Sequence, residues 1–278
     1  MGAKIIQFSC SLHCTFGQVE NIWSHRIRSW VQWRKNSNSW RAVHPPWLFG
    51  LLQSMNQMEG GNPAIEACRK QLKANSTKIQ RLDFGAGSQG PAQTIRDIAR
   101  KSLKRTKHAV ALGNLAKSIQ AKHVLELGTS LGLTTAYLAH SADSVVTCEG
   151  DPAIAELARE QWETLGLNNI VLSEGTFSAS LPLLIDQWKA SNHPGFDLIF
   201  IDGHHIGSAL LAYVKQLTPW LRPHGVLVCD DIHWSADMEH AWNQLTQDAH
   251  WTQAVDFYEW GMLTANPDLS KEIRCIRL

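Results

Sequence analysis

From residue 108 to the C-terminus, short apolar runs alternate with longer stretches of helical period. Val124 to Leu127, Ser144 to Cys148, Ile170 to Leu172, Leu198 to Ile201 and Val226 to Cys229 are too short for helices and read as strands. Between them, His108 to Gln120, Leu133 to Ala139, Pro152 to Leu165, Leu181 to Ala190 and Ser208 to Leu217 read as helices. That alternation predicts an α/β fold with a doubly wound, Rossmann-like sheet, mostly parallel, with helices on both faces. Thr252 to Thr264 and Ile273 to Leu278 alternate in polarity and predict closing antiparallel strands.

The first 107 residues follow another pattern, read as a mostly helical N-terminal extension. Residues 1–18 are irregular. A helix over 19–35 carries Trp23, Ile27, Trp30, Val31 and Arg34 near helical spacing, and His44-Pro45-Pro46 breaks it. Helices follow over Trp47 to Met58, Ala64 to Lys73 and Ala92 to Leu103. Tryptophans at 23, 30, 33, 40 and 47 interleave with Arg26, Arg28, Arg34, Lys35 and Arg41. Such a pattern can stack on bases or seat at a membrane surface. Helical spacing of aromatics favours rings packed on the main domain, with the arginines in water. Gly85, Gly87 and Gly90 spell G-x-G-x-x-G, but no buried strand precedes them and no acidic strand end follows, so a flexible polar loop is expected. The basic run Arg96 to Lys107 reads as a solvated helix face.

Charge sharpens this division. Residues 1–107 hold 17 Lys and Arg against 5 Asp and Glu, and the remainder hold 9 against 20, although the net charge is only +1. An accessory basic part (1–107) and an acidic catalytic part (108–278) are expected, either attracting each other or leaving the basic part for an acidic partner. No apolar run is long enough to span a membrane, and the N-terminus matches neither a secretory nor a myristoylation signal. Cys148 and Cys229 fall in buried-strand runs, which points to reduced thiols and a cytoplasmic setting. Cys10, His13 and Cys14 lie close together but lack the second ligand pair of a zinc site.

In a doubly wound sheet, ligands bind beyond the carboxyl ends of the strands. Here those ends carry Gly128 to Gly132, Glu149, Glu174-Gly175, Asp202 and Asp230-Asp231. The turn after the first strand, Gly128-Thr129-Ser130-Leu131-Gly132, opens a helix and lets a ligand approach the backbone. Glu149 follows Gly128 by 21 residues, the separation at which a carboxylate meets ribose hydroxyls. The turn is G-x-x-x-G, matching neither a pyrophosphate cradle nor a P-loop. A ligand with adenosine but no phosphates is implied, and a dehydrogenase is disfavoured.

Glu126-Leu127-Gly128-Thr129-Ser130-Leu131-Gly132 resembles the first motif of class I S-adenosylmethionine-dependent methyltransferases. Val146 to Asp151 resembles their second acidic motif, and Phe196 to Gly203 their fourth-strand motif. Ile201-Asp202-Gly203-His204-His205 with Asp230-Asp231 is similar to the O-methyltransferase group that includes metal-dependent sugar enzymes and, more loosely, catechol-type enzymes. The whole chain also resembles a bacterial family frequent in Bacteroidetes, through His44-Pro45-Pro46-Trp47, Asp83 to Ser88 and Asp230 to Ser235. The resemblance implies that Gly128, Thr129, Ser130 and Gly132 line the methionine part of the cofactor, with Glu126 near its amino group. It further implies Glu149 on the ribose, Gly175, Thr176 and Phe177 around the adenine, and Asp202 at the pocket wall.

A hydroxyl acceptor must also lose a proton. One expected device is Mg²⁺ on Asp202, Asp230 and Asp231, since three carboxylates at neighbouring strand ends suit a hard cation. The alternative is that Asp202 only lines the pocket and Asp230 or Asp231 caps a helix. A second device is a histidine base, with His204, His205 and His233 as candidates. The sugar enzymes typically have aspartate at the position of His204, which leaves the base open. The expected function is methyl transfer to a hydroxyl of a small or sugar-like molecule, by a chain able to form homo-oligomers. The rivals are methylation of nucleic acid or another macromolecule, gripped by the Trp/Arg segment, and a non-catalytic cofactor-binding module. Absence of the Asn/Asp-Pro-Pro-aromatic motif counts against the nucleic-acid rival.

Overall fold

The structure is a computed structural model that describes residues 22–57, 61–82 and 92–278. Cys10, His13 and Cys14, the irregular 1–18 segment and the glycines at 85, 87 and 90 lie outside the described residues. In chain order the elements begin with α1 (Ile22–Asn36), β1 (Asn38–Ser39), α2 (Pro46–Met55), α3 (Pro63–Ala74), β2 (Lys78–Ile79) and β3 (Gln93–Thr94). There follow α4 (Ile95–Ser102), α5 (Thr106–Ser118), β4 (His123–Leu127), α6 (Leu133–Ala139), β5 (Ser144–Glu149), α7 (Pro152–Thr164) and β6 (Ile170–Glu174). The chain continues through α8 (Phe177–Ala190), β7 (Phe196–Ile201), α9 (Gly207–Leu217), β8 (Leu221–Asp230), α10 (Ala236–Gln247), β9 (Gln253–Asp256), β10 (Trp260–Thr264) and β11 (Glu272–Arg277).

The main sheet runs β1-β11-β9-β10-β8-β7-β4-β5-β6. Strands β4 to β8 pair in parallel, as the strand and helix alternation predicts. The closing strands depart from expectation in one respect. β10 is antiparallel to β8 and β9, but β11 lies parallel to β9. From β4 the chain builds outward through β5 and β6, then returns to place β7 on the other side. The carboxyl ends of β4 and β7 therefore flank the switch point, where a crevice opens in such sheets.

Period-two burial fixes the sheet between two helical layers. Val124, Leu198, Phe200, Val226 and Val228 face the layer that contains α2 and α5. Leu125, Leu127, Ile199, Ile201, Leu227 and Cys229 face the layer of α8, α9 and α10. The α10 helix was not anticipated, although Met238, Ala241, Trp242 and Leu245 have helical spacing and Ser235 caps its first turn.

The extension shares this core. Leu48, Leu51, Leu52 and Met55 of α2 are buried against Leu112 and Leu115 of α5. Each contributes about 2 kcal/mol by leaving water. Asn38 and Ser39 pair with Ile276 and Arg277 and extend the sheet edge. α1 reverses the expected orientation of two tryptophans. It docks through Ser29 and Trp33, one turn apart, leaving Trp23 and Trp30 at 70% and 47% exposure. Trp33 donates to the Asp256 carbonyl at 3.1 Å, while Trp40 and Trp47 pack on the core as anticipated.

Candidate functional site

The turn after β4 is shaped by what crosses it. Gly128 has φ +106°, and a Cβ there would lie 1.8 Å from the Asp202 carbonyl oxygen. Gly132 has φ +75°, and its Cβ would strike the Trp162 ring. Any other residue would be strained at both positions and would clash. Asp202 N–H donates to the Leu127 carbonyl at 2.7 Å, which ties the ends of β4 and β7 together.

The carboxylates around this turn are held differently. Glu126 is fully buried beneath it, and Oε2 accepts from the Thr135 and Thr147 hydroxyls at 2.5 and 2.7 Å. Burial pushes its carboxyl up to about 8, against those two bonds. Its Oε1 has no hydrogen-bond partner, an orphan that a donor in the crevice would satisfy. Thr129 turns inward, its hydroxyl 2.7 Å from that of Thr147. Ser130 has φ +49°; its N–H donates to Glu149 Oε2 at 2.9 Å and its hydroxyl to Ser102. Glu149 also accepts from Asp151 N–H, and burial raises its pKa. At the neighbouring end of β6, Gly175 N–H donates to the Glu149 carbonyl and Thr176 caps α8. Phe177 follows, its ring edge-on to His204 and Tyr213 and against Gly203. The turn, Glu149, Gly175 to Phe177 and Asp202 thus share one end of the sheet. The orphan oxygen and the glycine approach fit a ligand that brings a hydrogen-bond donor to this turn.

The expected metal triad is arranged otherwise. Lys104, from the turn between α4 and α5, places Nζ 2.5 Å from Asp230 Oδ2 and 3.3 Å from Asp202 Oδ2. Asp231, at φ +51°, turns toward His205, with Oδ2 3.7 Å from Nδ1. Among the described residues no cluster of three or more His, Cys, Asp or Glu is arranged to hold a metal ion. The residues present therefore do not fit the expected Mg²⁺. Burial opposes the Lys104 charge, but Asp202 and Asp230 outweigh it and its pKa is raised. Burial and the neighbouring Asp202 raise Asp230. Burial also opposes Asp202, yet Lys104 and His205 hold it below the usual range. The solvated reading of the 96–107 run thus fails at Lys104, whose side chain is 11% exposed.

The three histidines separate. His205 stands beside Asp231 with its ring against Trp234. His204, at φ +68°, places Nδ1 2.6 Å from the Tyr213 hydroxyl and stacks on that ring. His233 does not serve as a base in this geometry. Its Nε2 is 2.8 Å from Asp256 Oδ2, and its Nδ1 is 2.6 Å from Ser29 Oγ and 3.4 Å from Glu239. Burial opposes its charge, but Asp256 and Glu239 prevail and push it up to about 9, so it stays protonated at neutral pH. It fastens α1.

The charge asymmetry resolves in part within the chain. Lys104 meets Asp202 and Asp230, Arg105 and His108 meet Glu259, Arg81 meets Asp151 and His25 meets Glu239.

Residues 125–232 match the family model described as a methyltransferase domain. The catechol O-methyltransferase of Mycobacterium tuberculosis is 34% identical over 122 residues, 42% of this chain and 51% of that protein. The O-methyltransferase of Bacillus cereus, solved with S-adenosylhomocysteine, superposes with a TM-score of 0.55 at 17% identity, covering 77% of this chain and 96% of its own. The chain resembles class I O-methyltransferases. Catechol O-methyltransferase domain-containing protein 1 of Mus musculus is 29% identical over 148 residues, 52% of this chain and 55% of that protein. The chain spans about half the length of the curated relatives it matches. In this methyltransferase fold, Lys104, Arg69 and Ser102 were not among the candidates from sequence. All three precede the matched domain and reach the site through tertiary packing.

Proposed function

We propose that this protein transfers the methyl group of S-adenosylmethionine to a hydroxyl of a small or sugar-like acceptor, with residues 108–278 as the catalytic domain and the preceding helices as its cap. The observation that carries this reading is the meeting of the Gly128 turn, Glu149 and Asp202 around one switch point. Gly128, Ser130 and Gly132 would border the methionine portion, with Glu126 below them as the buried acid answering its amino group. Glu149 would exchange its bond from Ser130 N–H for ribose hydroxyls. Gly175, Thr176 and Phe177 would border the adenine, and Asp202 the pocket wall.

When bound, the cofactor supplies an electrophilic methyl on sulfur, so the chain's own task is alignment and charge placement. Of the candidate bases, His205 fits best, because its ring lies beside Asp231 and near Asp202. It would receive the acceptor's proton. No step in this reading runs through a metal.

Calorimetry with S-adenosylhomocysteine and with NAD tests the proposal, together with methyl transfer to a panel of sugars and catechols. Binding of the first ligand alone, weakened about tenfold or more in Glu149→Ala, is expected. Tight NAD binding or retained affinity in Glu149→Ala would sink it.

One observation favours a second reading. The outward face of α1 bears Trp23, Ile27 and Trp30, and the helix contains basic but no acidic residues. A macromolecular acceptor with an acidic surface would suit it. Salt-sensitive retention of RNA or DNA by wild type, lost in Trp23→Ser/Trp30→Ser, would favour that reading.

A further inference from the structure

We propose that Lys104 is the resident cation of this site, its ammonium standing between Asp202 and Asp230 in place of a divalent ion. One ammonium serves both carboxylates, at 3.3 and 2.5 Å. Its position is built rather than incidental. Nζ lies 5.3 Å from the centre of the Phe200 ring, with Asp230 buried beside it. The Lys104 carbonyl accepts from Arg69 Nη1 at 2.7 Å. Arg69 is itself buried and gripped by both oxygens of Glu66. Two residues earlier, the last residue of α4, Ser102, accepts from the Ser130 hydroxyl, which ties the helix end before Lys104 to the glycine turn.

A divalent ion asks for several oxygen ligands at short range and repels an ammonium held on one of them. The third aspartate does not complete such a set. Asp231 N–H donates to the Glu259 carbonyl at 2.6 Å, and its carboxylate faces His205. The role of the ammonium in catalysis rests on reading this crevice as the acceptor end of the methyltransferase site; its placement does not. On that reading an acceptor hydroxyl meets N–H donors on Lys104. These orient the hydroxyl and stabilise negative charge developing on its oxygen. The extension is then part of the active site, and methyl transfer proceeds without added metal.

The test is titration of Mn²⁺ and Mg²⁺ into the full chain by calorimetry, with S-adenosylhomocysteine binding measured on the same preparations. Wild type should show no saturable metal binding below about 1 mM, whereas Lys104→Met should bind Mn²⁺ about tenfold tighter or better, and Lys104→Met/Asp230→Asn should lose that gain. Saturable binding to wild type that Asp230→Asn weakens would show the ion displacing the ammonium and overturn the proposal. A folded Lys104→Met that gains no affinity would overturn it as well. Should Lys104→Met fail to fold, the wild-type and Asp230→Asn titrations decide by themselves. Loss of S-adenosylhomocysteine binding with the metal pattern intact would instead remove the methyltransferase reading and leave the cation assignment standing.

Discussion

Two buried clusters in this protein each set carboxylates against one cation, and they are built in opposite senses. At the switch point the acids, Asp202 and Asp230, come from the sheet, and the extension delivers the cation, Lys104. Under α1 the cation, His233, belongs to the main domain with Asp256 and Glu239, and the extension delivers Ser29 and His25. The chemistry of the two cations separates their uses. A lysine held by two acids stays charged at any working pH. A histidine raised to about 9 lets go within reach of mild alkali. The two cations are similarly buried, Lys104 at 11% and His233 at 8% exposure, but Lys104 stands at the strand ends beside the switch point, whereas His233 is covered by α1. The first is equipped to meet a ligand; the second fastens a helix.

The largest expected effect comes from removing the lysine. Lys104→Met leaves Asp202 and Asp230 facing each other without countercharge, which should cost about 3–5 kcal/mol at pH 8. Without the ammonium both carboxyls titrate higher in the folded state than in the unfolded chain. The folded variant then keeps protons that the unfolded chain releases, so the loss shrinks as pH falls toward 5. Denaturant midpoints at the two pH values check this. An equal loss at both would mean that the pair is not charge-balanced by Lys104, and the contrast between the clusters would collapse.

The histidine cluster predicts the reverse pH response at somewhat smaller size. The folded pKa of His233, about 9, lies above its unfolded value. Its contribution is therefore complete below about pH 6.5 and lost as pH rises through 9, in total about 3 kcal/mol. Wild type should lose midpoint stability between pH 7.5 and about 10, and His233→Gln should flatten that limb while starting lower. A limb unchanged in His233→Gln would assign the loss to another group.

The two clusters also differ in what was legible in the sequence. Strand ends announce themselves, because a buried apolar run stops at a polar residue. Gly128, Glu149, Asp202 and Asp230 could therefore be placed at one end of the sheet, and β4 to β8 with their helices followed from period alone. Lys104 carries no such mark. It sits in a basic run whose default is a solvated face, and its partners lie about 100 residues or more downstream. The spacing of the aspartates suggests a cation site but not that the chain supplies the cation. His233 misled for the converse reason. A histidine just past a strand end suits catalysis, and nothing local reveals Asp256 and Ser29 on its two nitrogens. The same blindness affects α1. Its tryptophans have helical spacing, yet Ser29 and Trp33 mark the docked side and leave Trp23 and Trp30 outside.

The smallest effect tests whether the histidine cluster is a fastening or a catalytic chain of serine, histidine and acid. Ser29 Oγ lies 2.6 Å from His233 Nδ1, and Asp256 is on the opposite nitrogen, which superficially suits nucleophile activation. A histidine that stays protonated at neutral pH has no lone pair for the serine proton, so its Nδ1–H donates to Ser29 instead. Glu239 stands 3.4 Å from the same nitrogen and can take over that bond. Ser29→Ala should therefore cost only about 1 kcal/mol and leave His233 charged at pH 7. Chemical denaturation and an NMR titration of the His233 ring measure both quantities. A large drop in the His233 pKa on losing the hydroxyl would mean that Ser29, rather than the two acids, sets its charge. The fastening role would then fail, and with it the distinction between a cluster open to a ligand and one closed by a helix.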